Sequence, residues 1–318
     1  MREIKVAAIG VHILDVLGRP VSEIPPGQNI ALLEEIRATV AGTAGGTAVD
    51  LAKLGAKVTS IGATGDDEIG QVVRGILARY GVDSSGLVQK QGVQTSATIL
   101  PIRPNGERPA LHVMGANAGF SVEDVNMGSL SQFDVVHVGG TFLMPSFDGT
   151  GAAQVLKSAQ AAGAITTMDC LGVTEGRVET LVLPALEHLD FFMPNIEEAM
   201  VMSGLRERKD VGQFFLDHGA KTVILKRGEY GSAIYRAGEE ELLVPAYKVK
   251  VVDTTGCGDG YDAGLIWARA QGWELLESAR FASACGSLVA TGLGSDAGIV
   301  DLESTIRFME SAEVLPVG

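Results

Sequence analysis

Residues 251–265, VVDTTGCGDGYDAGL, join two valines typical of a strand to a run of residues with helical apolar spacing. The segment therefore predicts a strand that ends near Val252 and a helix that continues to about Gly272. Glycines at the helix start leave backbone N–H groups free, and the helix dipole favours a negative charge in front of them. Asp259, in the first turn, is placed to accept a proton from a hydroxyl that attacks a bound phosphate. The structural alternative is a glycine-rich loop in which Asp259 only complements the dipole.

Short apolar runs alternate with helical patterns along the rest of the chain. The predicted strands are IKVAAIG (4–10), KVTSIGA (57–63), FDVVHVGG (133–140), AITTMD (164–169), DFFMPN (190–195) and TVILKRG (222–228). The predicted helices are 68–81, 151–163 and 258–272. This alternation predicts an α/β fold with a mainly parallel sheet, helices on both faces, and ligands at the carboxyl ends of the strands.

Two segments, 11–40 and 92–113, do not follow the alternation and are extended and partly polar. The second contains LPIRPNGERPALHV, which predicts a hairpin around Asn105 and Gly106. We expect the two segments to form a small β-sheet lid. The predicted core then consists of 1–10, 41–91 and 114–318.

Composition limits the classes of function. The chain has 318 residues, a net charge of −14 and 5% aromatic residues, which argues against a nucleic-acid binder. No apolar run is long enough for a membrane span or a signal peptide. Three cysteines without metal-ligand spacing, Cys170, Cys257 and Cys285, fit a reduced, cytoplasmic location.

A second glycine cluster lies in AGTAGGTAVDLAKLGAKVTSIGATGDDEIG, residues 41–70. Gly45 and Gly46 precede a short helix, and Asp50 lies one turn inside it. The glycines are suited to a hinge and to the close approach of a polyol, whose hydroxyls Asp50 would bind. A tight loop followed by an exposed Asp50 is an equally good interpretation.

Two further motifs follow predicted strands. In PNIEEA, Asn195 and Glu198 are suited to organise water and Mg²⁺ around phosphate oxygens, although the same spacing is a capping box. In LKRGEYGSA, Lys226 and Gly228 stand where a nucleotide contact is plausible, and a basic turn without such a role is at least as common.

Several signatures are absent from the sequence. There is no G-x-x-x-x-G-K-[ST], no G-x-G-x-x-G after the first strand and no protein-kinase motif set. A P-loop kinase is therefore excluded, and a dinucleotide-dependent dehydrogenase is disfavoured. The five histidines form no metal-binding cluster.

Taken in order, the segments GGTAVDLAKLGAKVTSIGATGDDEIG, GANAG (115–119), PNIEE, LKRGEYG and DTTGCGDGYDAGL resemble those of the ribokinase-like (PfkB) carbohydrate kinase family. The resemblance covers about residues 4–300. It implies a three-layer α/β/α sandwich with a β-sheet lid, and transfer of the γ-phosphate of ATP to a primary hydroxyl of a small sugar or nucleoside. A homodimer that pairs through the lid is expected.

The resemblance also implies roles for individual positions. Asp259 matches the catalytic base, and the anion hole for the phosphoryl group matches Gly256, Cys257 and Gly258. Sugar contacts match Asp15, Gly45, Gly46 and Asp50, and Mg²⁺-organising positions match Asn195 and Glu198. Nucleotide-lining positions match Lys226 and Gly228, and a monovalent-cation (K⁺) site matches Asp253 and the carbonyl of Thr255, completed by the loop at 290–298.

Three departures bear on the acceptor. Relatives that bind ribose carry Asn where this chain has Asp50, and they carry a glutamate that HVGGTFLMP lacks. Arg103 and Arg108, which could bind a sugar phosphate, are expected to be exposed at a hairpin tip. An unphosphorylated sugar is therefore favoured, with a nucleoside as the alternative. A non-catalytic sugar- or nucleotide-binding protein on the same scaffold is disfavoured because GCGD, 256–259, is intact.

Overall fold

The computed structural model describes residues 2–105, 107–172 and 176–317. Its strands are β1 Lys5–Gly10, β2 Ile13–Arg19, β3 Glu35–Ala41, β4 Lys57–Gly65, β5 Asp83–Lys90, β6 Ala97–Pro101, β7 Leu111–Val113, β8 Val135–Thr141, β9 Ile165–Cys170, β10 Phe191–Phe192, β11 Thr222–Lys226, β12 Ser232–Arg236 and β13 Leu242–Val244. Its helices are α1 Thr43–Lys53, α2 Glu68–Arg79, α3 Thr150–Ala161, α4 Val178–Leu181, α5 Leu183–Leu186, α6 Ile196–Ser203, α7 Arg208–Asp217, α8 Cys257–Ala270, α9 Leu275–Val289 and α10 Leu302–Ser311.

Within these described ranges, nine strands form the central sheet in the order β13-β12-β11-β10-β9-β8-β1-β4-β5. The strands from β5 to β11 are parallel to their neighbours, and β12 and β13 add an antiparallel edge. β1 and β8 are buried almost throughout because helices cover both faces of the sheet. The sheet therefore brings the carboxyl ends of β1, β8, β9 and β11 to one edge.

Two apolar clusters hold the three layers together. One face of the sheet packs against α3 through residues such as Val138, Val155 and Phe147. The opposite face packs against α1, α8 and α9 through residues such as Leu51 and Phe281. The predicted three-layer α/β/α fold with a mainly parallel sheet is confirmed.

A second sheet, built in the described chain from four strands in the order β3-β2-β6-β7, forms the lid. Its strands lie in the two segments that the sequence assigned to a lid, except that β3 continues to Ala41, and the exact domain boundaries stay a prediction. Its two faces differ because side chains alternate along each strand. Asp15 is paired in register with Thr39 and Thr98 on one face. The other face carries Ile36, Ile99, Leu111 and Val113, which are exposed.

Most predicted elements occur where they were expected, with shifts of a few residues at their ends. The strand expected at 190–195 is shorter, because its hydrogen-bonded part is only Phe191–Phe192. The turn predicted at Asn105 and Gly106 falls partly outside the described residues, although β6 and β7 pair as a hairpin requires. Within the described chain, no helix is both long and apolar enough to cross a membrane.

Candidate active site

The first turn of α8 forms one wall of the candidate site. Gly256 takes a left-handed conformation, φ 79°, immediately before the helix, and a side chain there would collide with Ser295. No side chain of the described chain caps this helix end. The N–H of Cys257 makes a long hydrogen bond, 3.4 Å, to the carbonyl oxygen of Thr254. The N–H groups of Gly258 and Asp259 meet no acceptor in the described chain, so they are available to an external anion.

Asp259 lies in this first turn, with 7% of its surface exposed. Its carboxylate touches the backbone of Gly46, where any Cβ would collide with the Oδ2 atom. The Thr47 hydroxyl donates to the carbonyl oxygen of Asp259 at 3.4 Å. The structure thus brings together the two glycine-rich segments that the sequence singles out.

The environment of Asp259 favours its neutral form more than water does. Burial raises the pKa of Asp259 to about 7, and the neighbouring Asp169 charge acts in the same direction. The charges of Lys226 and Arg108 oppose this rise. A carboxyl group with a pKa near neutrality is suited to accept and release protons.

The lid contributes Asp15, which is 5% exposed. Burial raises the pKa of Asp15 to about 6, and a hydrogen bond from Thr98 limits that rise. The charge of Arg108 lowers the pKa of Asp15, and the charge of Asp253 raises it. The polar face of the lid therefore lies near the start of α8.

Arg108 is exposed, as predicted, but it makes a contact that the sequence does not predict. Its Nε donates to the Oγ1 atom of Thr254 at 3.2 Å, which links the lid to the segment that precedes α8. Arg103 instead pairs with Glu107 at 2.8 Å. One of the two candidate arginines is therefore at the site, and the other is not.

Gly45 and Gly46 lie in the first turn of α1, which begins at Thr43, so the expectation that they precede the helix is wrong. Asp50 lies one turn further along the same helix. A Cβ on Gly45 would lie 2.8 Å from a methyl group of Val40 in β3, so this glycine permits close packing between α1 and the lid strand. The interpretation of Asp50 as an exposed helix residue is wrong, because none of its surface is exposed. Its side chain faces α8, since a Cβ on Gly260 would lie 3.4 Å from Asp50 Oδ2.

Asp253, at the predicted cation site, is 1% exposed. Its Oδ1 accepts from the backbone N–H and the hydroxyl of Thr255, at 3.0 and 2.8 Å. Its Oδ2 accepts from the N–H of Gly294 at 2.9 Å. The carboxylate therefore ties the loop at 290–298 to the start of α8, and its role in a cation site stays a prediction.

Asn195 and Glu198 form the capping box that the sequence allows. Asn195 Oδ1 accepts from the N–H of Glu198 at 2.7 Å, and Glu198 Oε2 accepts from the N–H of Asn195 at 3.4 Å. The other carboxylate oxygen of Glu198 accepts from the N–H of Gly172 at 3.1 Å. Burial raises the pKa of Glu198 to about 7, and the nearby Asp169 charge adds to the rise.

The side chain of Lys226 points beneath the first turn of α8. Its Nζ lies 2.6 Å from Asp169 Oδ2 and 3.2 Å from Asp262 Oδ1. A Cβ on Gly258 would lie 3.2 Å from the same Nζ. Burial opposes the charge, but the carboxylates outweigh it and raise the pKa of Lys226. Gly228 has φ 57° and borders open space, as a ligand-lining position requires.

Sequence reasoning missed Asp169 and Asp262. Asp169 ends the predicted strand AITTMD, which pairs in parallel with the strand that ends at Thr141. Its position at the carboxyl end of a parallel strand could have indicated a site residue. Asp262 follows Asp259 by three residues on the same helix, which also places it near the site. Only the folded chain reveals that both carboxylates meet Lys226.

Cys257 departs from the tendency of helix N-termini to lower a thiol pKa. Burial raises the pKa of Cys257 to about 12, and the nearby Asp253 charge adds to this effect. The thiol is therefore inert at neutral pH, and the contribution expected of this residue is its backbone amide.

The arrangement places a carboxylate and free amides under a polar lid face, with further carboxylates at the end of β9 and at the start of α6. A match to the pfkB carbohydrate kinase family model spans residues 3–301. This chain belongs to the pfkB family. It is a sugar phosphotransferase. The family match covers both glycine-rich segments that meet at Asp259.

Named relatives agree with this assignment. The chain is 27% identical to Fructokinase-1 of Oryza sativa subsp. japonica, over 85% of this chain and 88% of that protein. It is 24% identical to 5-dehydro-2-deoxygluconokinase of Clostridium perfringens, over 85% of this chain and 83% of that protein. Its fold is similar to that of a candidate Ribokinase II from Escherichia coli, solved with ATP and Mg²⁺, with a TM-score of 0.82, 22% identity, and coverage of 97% and 99%.

Proposed function

We propose that this sugar kinase transfers the γ-phosphate of ATP to a primary hydroxyl of an unphosphorylated sugar, with Asp259 as the general base. One observation carries the proposal. Asp259 lies beside the uncapped amides at the start of α8 and directly against Gly46, under the polar face of the lid. A reacting hydroxyl at this point would meet a proton acceptor and an anion-binding helix end together.

The reaction then follows from the positions of these groups. The acceptor oxygen forms a bond to the γ-phosphorus while the bond between that phosphorus and the β–γ bridging oxygen breaks, so that ADP leaves. Asp259 takes the hydroxyl proton. The amides of Gly256, Cys257 and Gly258 stabilise the charge on the migrating phosphoryl group. Because the transition state is dominated by charge, positioned amides and a near-neutral base supply the main catalytic effects.

The sugar would lie between the lid and α1. Asp15 would accept hydrogen bonds from its hydroxyls, and Gly45 and Gly46 would allow it to approach the backbone. Direct contact between Asp50 and the sugar stays a prediction, because this side chain is fully buried. The names of the fructokinase and 5-dehydro-2-deoxygluconokinase relatives support an unphosphorylated acceptor.

The nucleotide would occupy the other side of the anion hole, along Gly228. Asn195 and Glu198 offer oxygen atoms, the donor type that Mg²⁺ prefers, close to the carboxylate of Asp169. These residues would hold the ion directly or through water, and the ion would neutralise phosphate charge. Asp253 and the carbonyl of Thr255 would bind K⁺. Measurement of the rate at increasing KCl concentrations tests this role.

Replacement of Asp259 by Asn tests the mechanism. We expect kcat to fall by about 10²–10⁴-fold, because an amide cannot accept the hydroxyl proton. Calorimetry should still detect binding of ATP and sugar, since the amide has nearly the same shape. Normal turnover in the Asp259→Asn variant would remove this residue from the base role.

An ADP-release assay with pentoses, hexoses, keto sugars, sugar acids, sugar phosphates and nucleosides tests the acceptor. Preferential turnover of an unphosphorylated sugar supports the proposal. Turnover of nucleosides alone would assign the chain to the nucleoside kinases of this fold. Nucleotide binding without turnover of any acceptor would indicate a non-catalytic protein.

The exposed apolar face of the lid supports pairing with a second copy. Ile36, Ile99 and Leu111 are 70%, 59% and 61% exposed and lie on one face of the lid sheet. Ile99 and Leu111 are paired on neighbouring strands, and Ile36 lies two strands away from Ile99. A contiguous apolar patch of this kind is typical of an interface. We expect light scattering to report a dimer that Ile99→Lys converts to a monomer, and a monomeric parent protein would contradict this proposal.

A further inference from the structure

Asp50 is a buried carboxyl group to which the proposed mechanism gives no part in proton or phosphoryl transfer. It lies on α1, one turn after the glycine that touches Asp259, and its side chain is fully buried. Its Oδ2 atom approaches the first turn of α8 at Gly260. No residue in the described ranges donates a hydrogen bond to this oxygen atom.

Among the residues that the structure describes, Lys53 is the one cation close to Asp50, and another group shares it. The Nζ of Lys53 lies 3.4 Å from Asp50 Oδ1, the outer limit of a hydrogen bond. The same Nζ lies 2.5 Å from the carbonyl oxygen of Asp296. Lys53 is therefore held more closely by the loop at 290–298 than by Asp50.

The other titratable groups around Asp50 make its ionisation harder. Asp259 on α8 and Asp296 on the loop carry like charges. The Cys285 thiol on α9 also faces this region, and burial raises its own pKa, so it adds no charge. An ionised carboxylate in this position would have one oxygen atom without a partner in an apolar surrounding. A proton on Oδ2 removes that charge and creates a donor that faces α8.

We propose that Asp50 is a positioning residue that works in its protonated form, and that loss of this proton inactivates the enzyme. The inference rests on the proposed role of Asp259. A neutral carboxyl group both donates and accepts hydrogen bonds, as an amide does, so it can hold the contact between α1 and α8. Deprotonation would add a negative charge beside Asp259 and near the migrating phosphoryl group.

The electrostatics agree with this geometry. Burial raises the pKa of Asp50 to about 8, and Lys53 only partly offsets the effect of burial and of the Asp259 charge. Asp259 itself has a pKa of about 7 and must be ionised to act as the base. The wild-type rate should therefore rise as Asp259 loses its proton and fall as Asp50 loses its own.

The Asp50→Asn variant tests the inference through the pH profile of kcat between about pH 6 and pH 10. Asn mimics the neutral acid and has no proton to lose. We expect this variant to retain activity near neutrality and its alkaline fall to move up by about one pH unit or more. An unchanged alkaline limb, loss of activity at every pH, or failure of the near-isosteric variant to fold would overturn the proposal.

Asp210→Asn is the matched control because Asp210 is an exposed aspartate on α7. It removes the same charge from a helix that packs against α6, β11 and β12, whereas Asp50 lies on a helix that packs against α8, and we expect the control to leave the pH profile unchanged. A shift of the alkaline limb in this control as large as that in Asp50→Asn would show a general effect of net charge and overturn the assignment.

Thermal unfolding gives a readout that does not depend on activity. The folded pKa of Asp50 lies above its value in the unfolded chain, so the wild type loses stability as pH rises between these two values. Asn has no such loss. The Tm of Asp50→Asn should therefore exceed that of the wild type by a margin that grows from about pH 5 to pH 8. If the Tm difference stays constant with pH, the inference is overturned, whether or not an acceptor sugar is found. If only the kinase proposal fails, the Tm difference should still grow with pH.

Discussion

Helix α8 begins between two groups of buried carboxyls that are neutralised in different ways. On one side, Asp169 and Asp262 share the ammonium group of Lys226, at 2.6 and 3.2 Å. On the other side, Asp50 has only a distant contact with Lys53. Burial raises the pKa of both Asp50 and Asp262, so both groups contain a carboxyl whose ionisation is disfavoured by burial.

The two groups differ in what offsets the charge of their carboxyls: the ammonium of Lys226 on one side and a bound proton on Asp50 on the other. A fixed cation keeps the Lys226 group neutralised at any pH near neutrality, because the pKa of Lys226 is raised. The Asp50 group depends on a proton that solution pH controls. The cation beneath the anion hole thus keeps its charge near neutrality, and the side towards α1 carries the proposed sensitivity to pH.

Removal of the fixed cation should have the largest effect. In Lys226→Met, two buried carboxyls lose their partner, and we expect a loss of about 3–5 kcal/mol in the free energy of unfolding. The acid limb of kcat/KM should also move up from about 7, since Lys226 lowers the pKa of Asp259. Urea denaturation and a pH–rate profile check the two effects.

Lys221→Met is the control for Lys226→Met. Lys221 pairs with Asp190 at 2.8 Å, but its side chain is 56% exposed, so water screens the pair. We expect no measurable change in stability or in the acid limb. Equal losses in both lysine variants would contradict the idea that the buried pair balances the site.

Displacement of Asp259 from the α1 side should have the next largest effect. In Gly46→Ala, the added methyl group collides with Asp259 Oδ2, and the carboxylate must move. We expect kcat to fall by about 10²-fold, because small errors in the position of a base are costly. Gly55→Ala adds a methyl group at a position with open space around it and should leave kcat unchanged. Because Gly55 has φ 88°, this substitution strains the backbone, so the two variants are compared in kcat and not in stability.

The same lysine-to-methionine change on the α1 side should be mild. Lys53→Met removes one hydrogen bond to the Asp296 carbonyl and a contact with a carboxyl that is already neutral. We expect a loss of about 1 kcal/mol in the free energy of unfolding. A loss as large as that of Lys226→Met would mean that Asp50 is ionised, and the comparison would fail.

The smallest effect is expected for Asp262→Asn. Burial and the Asp169 charge raise the pKa of Asp262 well above its ordinary value, so the amide replaces a group that already favours its neutral form. The acid limb of kcat/KM should stay within about 0.3 pH units of the wild type. A larger shift would show that this carboxyl is charged near neutrality.

The sequence predicts the parts of the site that depend on backbone geometry. Gly256 needs a left-handed conformation and Gly46 needs the absence of a side chain, and both requirements leave glycines in recognisable segments. The layered fold is predictable for a similar reason, since buried parallel strands form continuous apolar runs.

Side-chain partnerships across the fold are not predictable in this way. Lys226 and Asp262 are 36 residues apart, and nothing local indicates that they form a pair. The burial of Asp50 also depends on how α1 packs against α8, which the helix pattern alone leaves open. The antiparallel edge of β12 and β13 escapes prediction because short strands give weak periodic signals.

The position of β1 in the middle of the sheet affects how the protein is made. β1 pairs with β4 on one side and with β8 on the other, so its second edge stays open until Thr141 has been synthesised. During that interval the growing chain exposes an apolar strand edge that a neighbouring chain could pair with. Deletion of the first ten residues would accordingly separate β4 and β5 from the rest of the central sheet, whereas loss of a few residues after α10 would remove a short backbone pairing with residues 246–248.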